Sequence, residues 1–549
     1  MQDGDHPNAA LKECAGTIAA VLAESSKEMS WDEKQRAILG HLQTALAANG
    51  KLFMVGGLPG HVNAVGEITQ LVPGNAAFDR FLDGCGLLPG VGDWDKLLFR
   101  KLASRQDLPA NFVHSIAHFD PEESVLYLNQ WNGKFLRIAD KVSEHRVGEF
   151  DVLFNRGDEP HEPLDLDEIN AYEGPALAWD EESALVRHVF SVGNFSESSG
   201  IGRQNAISVL MLFTLAILFQ ERVLVVPVVH LCGVSGSRKS ALCVCLGWVV
   251  SGAGMKFRST ACPESIADVE NALINAEGLL VLDEANSLRA LQNLIKSVVT
   301  GGELKRRALF TTSTQVRFAV DVALMLATNV DSATEEALIK RCLKLDMGNP
   351  EAGGEGWRGD FNVRNEWRRR GNRQECWKEL VCRCLATMRC LRHAAQKGED
   401  DIRVPNRMSG FWSFAVAVAR QEGPKVENQI QAAMTAINEE QRSAVSTPDD
   451  ILPLLLDWLA NEPPEHKGRK LTAGEIGGAL LNRFEAATAY GRSTSPMSRQ
   501  VREILQSAYR LSNKLNGSQE YRRVLGMEVH RGRYGKEFSF NPPPVKEAA

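Results

Sequence analysis

A phosphate-binding loop is predicted by the segment GVSGSRKS, Gly233 to Ser240, which lies inside an apolar sequence. The run before it predicts a β-strand and the run after it a helix, so backbone N–H groups would face an anion at the positive end of that helix. Gly233 and Gly236 allow close backbone approach. Lys239 is expected to meet the β- and γ-phosphates of a nucleotide, and the Ser240 hydroxyl to bind Mg²⁺.

Arg238 is the departure from the usual pattern GxxxxGK[ST], which places a glycine at that position. Arginine keeps the N–H that the loop needs, provided that its φ stays negative, and it adds a cation. A decayed loop and a chance match remain open on this segment alone. The residues expected to contact a nucleotide are Gly233, Val234, Ser235, Gly236, Ser237, Arg238, Lys239 and Ser240.

A pair of carboxylates, Asp283 and Glu284, follows a second apolar run within the segment GLLVLDEANS. Asp283 is 44 positions after Lys239. Leu279 to Leu282 predict a buried strand that ends in Asp283 and Glu284. Ligands gather at the carboxyl ends of parallel strands, so this pair is expected beside the loop. Asp283 would hold Mg²⁺, mostly through water, and Glu284 would polarise the attacking water. The alternative is a strand followed by a helix, since Asp and Glu suit a helix start.

Two further polar residues complete the predicted site. Asn329 ends a third apolar run, DVALMLATN, where its amide would sense the γ-phosphate or place the water; otherwise it is a turn residue. Arg341, in EEALIKRCLKLDM, is a candidate arginine finger that reaches a neighbouring subunit's nucleotide, and the alternative is a solvated surface arginine.

Composition indicates an ordinary globular protein. The 549 residues are 44% hydrophobic and 24% charged, with a net charge of -7 that gives no global attraction to nucleic acid. The eleven cysteines show no disulfide framework, and the first residues lack a basic signal-peptide region. Ala206 to Phe219 is too short for a membrane span and predicts a buried helix. A reducing cytoplasm without membrane attachment is therefore expected.

Six segments are predicted along the chain. Ser30 and Glu33 form a capping box for an early helix, and Asn132-Gly133 predicts a β-hairpin. The predicted divisions are 1–50, helical; 51–160, an α+β accessory domain; 161–221, a linker and helices; 222–348, alternating strands and helices; 349–462, a helical lid; and 463–549, a basic unit.

The basic unit predicts a contact with duplex DNA. From Lys467 to Glu537 there are fourteen basic and six acidic residues, in an order of helices and strands that suits a winged helix. Arg499 and Arg502 would lie on a recognition helix, and Arg531 and Arg533 on the wing. A basic domain that docks on another protein is the alternative.

Two other clusters are weaker. WRGDFNVRNEWRRRGNR interleaves Trp357 and Trp367 with arginines, as a nucleic-acid contact would, but a charged insertion with buried tryptophans is favoured. The cysteines of WKELVCRCLATMRCLRH invite a zinc site. Because the segment has helical character, their side chains would spread around the axis, and packing is favoured.

In order along the chain, GVSGSRKS, GLLVLDE, LIKSVVTGGELKRRALFTTSTQVRF, VALMLATN and LIKRCLKLDM resemble the AAA+ ATPase core of phage and mobile-element proteins related to superfamily 3 and poxvirus-type primase-helicases. The similarity spans about Arg222 to Met347 and extends to RMSGFWSFAVAV. It implies an α/β fold, a P-loop AAA+ core with a parallel sheet flanked by helices, between an N-terminal α+β domain and a C-terminal winged-helix-like domain.

The resemblance further implies a homo-oligomeric ring, expected to be a hexamer, that hydrolyses ATP with Mg²⁺ and holds single-stranded DNA. By this resemblance, Lys239 would contact the phosphates and Ser240 would bind the metal. Asp283 and Glu284 are the acidic pair, with Asn329 the sensor and Arg341 the finger.

The chain departs from this group of helicases at one predicted hairpin. Helicases of this group usually carry a basic residue at its tip, whereas this chain has Thr312, Ser313, Thr314 and Gln315, with Lys305, Arg306 and Arg307 at the base. Three functions therefore remain: a replicative DNA helicase, an ATP-driven switch or remodeller that does not unwind DNA, and a DNA-binding scaffold with an inactive site.

Overall fold

In the computed structural model the chain forms two compact units, Met1–Gln441 and Arg442–Ala549. The structure describes residues 6–24, 28–88, 92–195, 201–263, 265–274, 276, 278–285, 294–296, 303–307, 315–319, 322–329, 336–348, 360–399, 402, 404, 406–445, 451–461, 469–489, 505–508, 511–512, 515, 525, 527–532 and 535–540.

The first unit begins with helices and short strands. Its elements to residue 154 are α1 (His6–Ala23), α2 (Trp31–Asn49), β1 (Gly50–Val55), β2 (Leu58–Asn63), β3 (Ile68–Gln70), α3 (Ala76–Gly84), α4 (Trp94–Ala103), β4 (Ala110–Asn111), β5 (Val113–His114), β6 (Ala117–Asp120), β7 (Val125–Asn129), β8 (Lys134–Ile138), β9 (Val142–Phe150) and β10 (Leu153–Phe154). The predicted capping box is confirmed, because the Ser30 and Glu33 side chains each bond the other's backbone N–H.

These strands form three small sheets, in the orders β3-β2-β1-β4, β6-β7-β8-β9 and β10-β5. The predicted hairpin is confirmed: β7 and β8 pair antiparallel, with Leu128 opposite Leu136. Gly133 in its turn has a φ of +88°, a conformation that glycine adopts without strain.

Helices then lead into the central sheet. They are α5 (Leu166–Asn170), α6 (Ala184–His188), a 3₁₀ turn (Phe190–Val192), α7 (Gly202–Leu218) and α8 (Gln220–Val223). From Ala206 to Leu218 every residue of α7 is buried, as the sequence predicted. Within the described part of the chain, no helix combines the length and apolar character of a membrane span.

A parallel sheet lies at the centre of the first unit. The elements are β11 (Val228–Gly233), α9 (Lys239–Val250), a 3₁₀ turn (Gly254–Lys256), β12 (Thr260–Ala261), α10 (Ile266–Ile274), β13 (Leu279–Asp283), β14 (Glu303–Arg307), β15 (Gln315–Ala319), β16 (Ala323–Thr328), α11 (Glu336–Ile339) and β17 (Cys342–Met347). Five strands pair in the order β12-β13-β16-β11-β17, all parallel. β14 and β15 form a separate antiparallel hairpin.

Long helices follow: α12 (Asp360–Arg370), α13 (Asn372–Lys397), α14 (Ser409–Glu422) and α15 (Pro424–Val445), whose last four residues lie beyond the end of the first unit at Gln441. α13 packs against α9 and α14. The largest hydrophobic core joins the sheet to α7, α9, α13 and α14, and it contains the fully buried Trp377 and Trp412.

The second unit contains α16 (Ile451–Asn461), β18 (Leu471–Thr472), α17 (Ala473–Ala489), β19 (Met527–Gly532) and β20 (Gly535–Phe540). Its sheet has the order β18-β20-β19, with both pairs antiparallel. Ile451 and Leu455 of α16 belong to its core. The unit therefore includes a helix that precedes residue 463, where the sequence placed the boundary.

Candidate functional site

The loop Gly233 to Ser240 joins β11 to α9, as the apolar runs on either side predicted. Gly236 has a φ of +83°, and the Ser237 N–H donates to the Val234 carbonyl at 3.3 Å, so the chain turns tightly here. Val234 is 49% exposed, whereas Ser237 is fully buried. The loop thus opens to solvent on one side and packs against the protein on the other.

Gly233 is required by the sheet. It lies opposite Met347 in the β11–β17 pairing, and a Cβ at this position would lie 2.3 Å from the Met347 carbonyl oxygen. Both partners are backbone at this point, so neither can move aside cheaply. The first glycine of the loop therefore has a packing role as well as allowing backbone approach.

Lys239 points into the loop. Its Nζ donates to the carbonyl oxygens of Gly233 at 2.7 Å and Val234 at 2.8 Å, and to Ser237 Oγ at 3.0 Å. Burial lowers the pKa of Lys239, while Cys232 and Asp283 act in the opposite direction. The loop folds around the ammonium group, and each of its three partners is an oxygen that a phosphate oxygen can replace.

Arg238 differs from its expected conformation. Its φ is +66°, in the left-handed region, whereas the sequence analysis expects arginine to suit the loop only with a negative φ. The residue caps the N-terminus of α9, and its carbonyl accepts from the Leu242 N–H at 3.1 Å. The loop geometry imposes this conformation, which suits the glycine of the usual pattern and is strained for arginine.

Asp283 ends β13 at the same edge of the sheet as the loop. The registers Leu282–Leu326 and Leu326–His230 align β13 and β11 through the β16 strand between them. At about 4.8 Å per strand, Asp283 lies about 10 Å across the sheet from β11. The electrostatic interaction between Asp283 and Lys239 agrees with this placement.

The Asp283 carboxylate is held by neighbouring groups. Its Oδ1 accepts from the Glu284 N–H at 3.0 Å, and its Oδ2 accepts from Ser259 Oγ at 3.3 Å. Glu284 is exposed and has a φ of +54°, which is uncommon for a non-glycine residue. The two predicted carboxylates therefore differ: one is anchored, and the other projects into solvent from a strained backbone.

Asn329 and Arg341 lie at different edges. Asn329 is exposed directly after β16, at the same edge as the loop and Asp283. The Arg341 carbonyl accepts from Val228 at the start of β11, so this arginine lies at the opposite edge, about 20 Å away at 3.3 Å per residue. Its Nη1 donates to the Ala337 carbonyl at 2.6 Å. Arg341 therefore does not reach the loop of its own chain.

One segment beside the loop was missed by the sequence analysis. Asn194 donates its N–H to the Ser237 carbonyl at 3.4 Å and accepts from the Gly348 N–H at 2.7 Å, so it links the loop to the end of β17. Gly193 packs against Leu242 of α9, where a Cβ would lie 2.5 Å from Cδ1. These contacts are made mostly by backbone and distant segments, so the residue types gave no signal.

Other predicted contacts fall partly outside the described residues. β14 carries Lys305, Arg306 and Arg307. Arg307 pairs with Gln315 of β15 at the end of the ladder next to the connecting segment, whereas the sequence analysis placed Arg307 at the base of the hairpin. Thr312, Ser313 and Thr314 are not described. In the second unit Arg531 is exposed on β19, and Arg499, Arg502 and Arg533 lie outside the described residues.

The tryptophan-arginine and cysteine clusters have packing roles where they are described. Trp367 is 4% exposed and donates to the His188 carbonyl at 3.1 Å, while Trp357 lies outside the described residues. Cys376, Cys382 and Cys384 are buried on α13. Burial raises the pKa of Cys382 to about 11.

Comparisons with known proteins give only weak structural likenesses. No protein family and no curated protein matches the chain. The structure titled "The A form apo structure of NrS-1 C terminal region-CTR" is 12% identical, with a TM-score of 0.38, over 91% of this chain and 98% of that chain. The structure titled "SCCmec type IV Cch - active helicase" is 13% identical, with a TM-score of 0.37, over 82% and 86%.

Proposed function

We propose that the chain is an AAA+ ATPase of a phage or mobile element that acts as a ring-forming replicative DNA helicase. The observation that carries the ATPase part of the proposal is the meeting of the loop Gly233 to Ser240 with Asp283 at one edge of a parallel sheet. The helicase part rests on the resemblance of the sequence. Parallel α/β sheets bind ligands at this edge. A cation inside a glycine-containing loop and a carboxylate beside it suit a magnesium-bound triphosphate.

The residues fit ATP and Mg²⁺ in their chemistry. The N-terminus of the twelve-residue α9 would direct backbone N–H groups to an anion, and Gly236 lets the backbone turn towards it. Lys239 would exchange its loop oxygens for phosphate oxygens. Ser240 and Asp283 would be the oxygen ligands for the metal, Asp283 mostly through water.

The proposed chemistry is phosphoryl transfer to water. Bound ATP supplies the phosphoanhydride bond, and Mg²⁺ offsets the charge of its phosphates. Glu284 is exposed next to the anchored Asp283, where its carboxylate would orient water and accept its proton. Asn329, at the end of the neighbouring strand, would position the same water.

Arg341 is the proposed arginine finger of an oligomeric site. Because it lies at the amino-terminal edge of the sheet, away from its own loop, it would act on nucleotide held by another subunit. A ring, expected to be a hexamer, would bring each Arg341 to a neighbour's loop. Single-stranded DNA would pass through this ring, and the second unit would contact duplex DNA.

The second candidate is an ATP-driven switch or remodeller that binds DNA or protein without unwinding. The uncharged sequence ALFTTST between β14 and β15 favours it, because these residues offer no cation to a DNA strand. An inactive DNA-binding scaffold is the remaining alternative.

The deciding experiment measures ATP turnover with and without single-stranded DNA, together with unwinding of forked DNA. For the parent protein we expect DNA-stimulated turnover and strand separation. Glu284→Gln should lower turnover by at least about 100-fold while nucleotide binding is retained. Glu270→Gln, a half-buried glutamate on α10, is the matched control and should turn over ATP like the parent.

Each remaining outcome selects an alternative. DNA-stimulated turnover without strand separation would support the switch. Absence of turnover and of ATP binding in the parent would leave only the scaffold.

A further inference from the structure

A cluster of two histidines and one glutamate lies outside the proposed ATP site. His114 is on β5, His118 on β6 and Glu221 on α8. All three residues are half-buried, and one ligating atom from each lies within 4.8 Å of the other two. In the described part of the chain, this is the only group of its kind.

The side chains of the cluster are held in place by several contacts. His118 Nδ1 and Glu221 Oε1 are 2.8 Å apart, and Glu221 Oε2 accepts from the Phe119 N–H at 3.1 Å. The His114 and His118 rings stack with centroids 4.1 Å apart. Tyr127 stacks on His118 at 5.8 Å. The carboxylate and the two rings are thus held close to one another without a ligand.

Two imidazoles and a carboxylate are the donor set of many zinc and related metal sites. Bonds of about 2.0–2.2 Å to one ion place ligand atoms within about 4 Å of one another, so adjustments of about 1 Å bring the three groups into range.

We propose that His114, His118 and Glu221 bind a divalent transition-metal ion, with Zn²⁺ as the expected species. The second oxygen of Glu221 stays on the Phe119 N–H, which fixes the carboxylate as an outer hydrogen bond commonly does in metal sites. The remaining coordination position is left to water.

The ion joins two parts of the first unit. His114 and His118 belong to the N-terminal strands, whereas Glu221 is on the helix between the buried α7 and β11. α7 and α8 both pack against β6. The metal therefore clamps the N-terminal strands onto the helices that lead into the parallel sheet, and its role is structural.

The test uses the full chain and Zn²⁺ alone. After dialysis against zinc, metal analysis should find one more ion per chain in the parent protein than in His114→Gln. Glu221→Gln, which keeps an oxygen for the Phe119 N–H, should weaken zinc affinity at least about tenfold. Chelation should lower the melting temperature of the parent and leave that of His114→Gln unchanged.

His145→Gln is the matched control. His145 Nδ1 also lies 2.9 Å from a carboxylate oxygen, Glu149 Oε2, and its ring stacks on Phe135. We expect it to bind zinc like the parent.

Cobalt substitution separates the cluster from the eleven cysteines of the chain. A site of nitrogen and oxygen ligands gives visible Co²⁺ bands without the near-ultraviolet charge-transfer band of thiolate ligands. Equal zinc content in parent and His114→Gln, or a thiolate band that both share, would overturn the proposal.

Discussion

Arg238 and Glu284 both have a positive φ, +66° and +54°. Such conformations cost about 1 kcal/mol or more for a residue with a Cβ, and they persist where the surrounding structure enforces them. One of the two residues closes the loop and the other follows Asp283, so both flank the predicted ATP site. The strained residues therefore lie where a fixed backbone would help to bind phosphate and to orient water.

Replacement of Arg238 by glycine tests this strain. Because glycine adopts the left-handed region freely, Arg238→Gly should raise the free energy of unfolding by up to about 1 kcal/mol. Urea denaturation measures the change. Arg80→Gly, in the middle of α3, is the control and should lower the same quantity by about 1 kcal/mol. A loss of stability in both variants would mean that the Arg238 side chain itself holds the loop.

Among individual residues, the sequence identified those that can be recognised from their immediate neighbours in the chain. Lys239 and Asp283 follow apolar runs of strand length, and their types suit phosphate and metal. The strained φ of Arg238 was not predicted, since it depends on the turn that the whole loop makes. Asn194 was missed because its backbone, 39 positions before Gly233, makes the contact with the loop.

The β11–β17 strand pair determines where the loop begins. A methyl group at Gly233 would collide with the Met347 carbonyl, and the two strands would have to separate. Gly233→Ala should therefore lower the free energy of unfolding by about 1–3 kcal/mol. Gly40→Ala in α2, where nothing lies within 4 Å of the added Cβ, should raise it by about 0.5–1 kcal/mol. Thermal and urea unfolding of both variants measure these changes.

A matching gain of stability in Gly233→Ala and Gly40→Ala would contradict the close strand contact.

The α13 helix is anchored to the end of α9 by Arg373. Its guanidinium donates to the carbonyls of Trp248 at 2.6 Å, Glu159 at 2.7 Å and Pro160 at 3.3 Å. Burial lowers the pKa of Arg373 to about 10, and Glu159 acts in the opposite direction. Although Arg373 belongs to an arginine-rich stretch, its role is packing within the protein.

Removal of this anchor should be costly. Arg373→Ala leaves three carbonyls without their donor, so we expect the free energy of unfolding to fall by about 3 kcal/mol. Lysine cannot reproduce the planar fork of donors, and Arg373→Lys should recover only part of the loss. Arg36, exposed on α2, also donates to a carbonyl at 3.3 Å, and Arg36→Ala should change stability by less than about 0.5 kcal/mol.

A comparable effect of Arg373→Ala and Arg36→Ala in denaturant titrations would show that the anchor contributes little.

Elements with a strong local pattern were predicted well. The α2 capping box, the β7–β8 hairpin and the buried α7 each follow from residues close together in sequence. Strand order did not follow from local pattern. β12 has only two residues, yet it forms one edge of the sheet, because pairing with β13 defines it.

The net charge of the whole chain is negative, but one portion of the chain is basic. In the second unit Arg531 is exposed on β19, next to the sequence GRYG. Arg531→Ala should weaken duplex DNA binding about equally for all sequences and reduce the slope of log K against log salt concentration by about 1. Fluorescence anisotropy over a salt series measures both quantities.

Arg483→Ala provides the comparison, because the Arg483 side chain is already paired with Asp457 at 2.7 Å. It should leave the slope unchanged. Equal slopes for the parent and Arg531→Ala would remove Arg531 from the DNA contact.

At the scale of the molecule, the mixed α/β class and the parallel sheet follow from alternating apolar strands and helices. The sequence placed a boundary at Pro463, a residue that usually breaks helices, but α16 packs its apolar face into the second unit. Packing between distant segments, which proline content does not report, decides that boundary.

The most direct test of the proposed ATP site is the affinity of the full chain for ATP with Mg²⁺, measured by titration calorimetry. We expect one ATP per chain for the parent protein and an affinity at least about tenfold lower for Lys239→Ala, because the ammonium inside the loop is lost. Lys256→Ala, which removes an exposed lysine paired with Asp158, should bind like the parent. Equal affinities for the parent and Lys239→Ala would contradict the account.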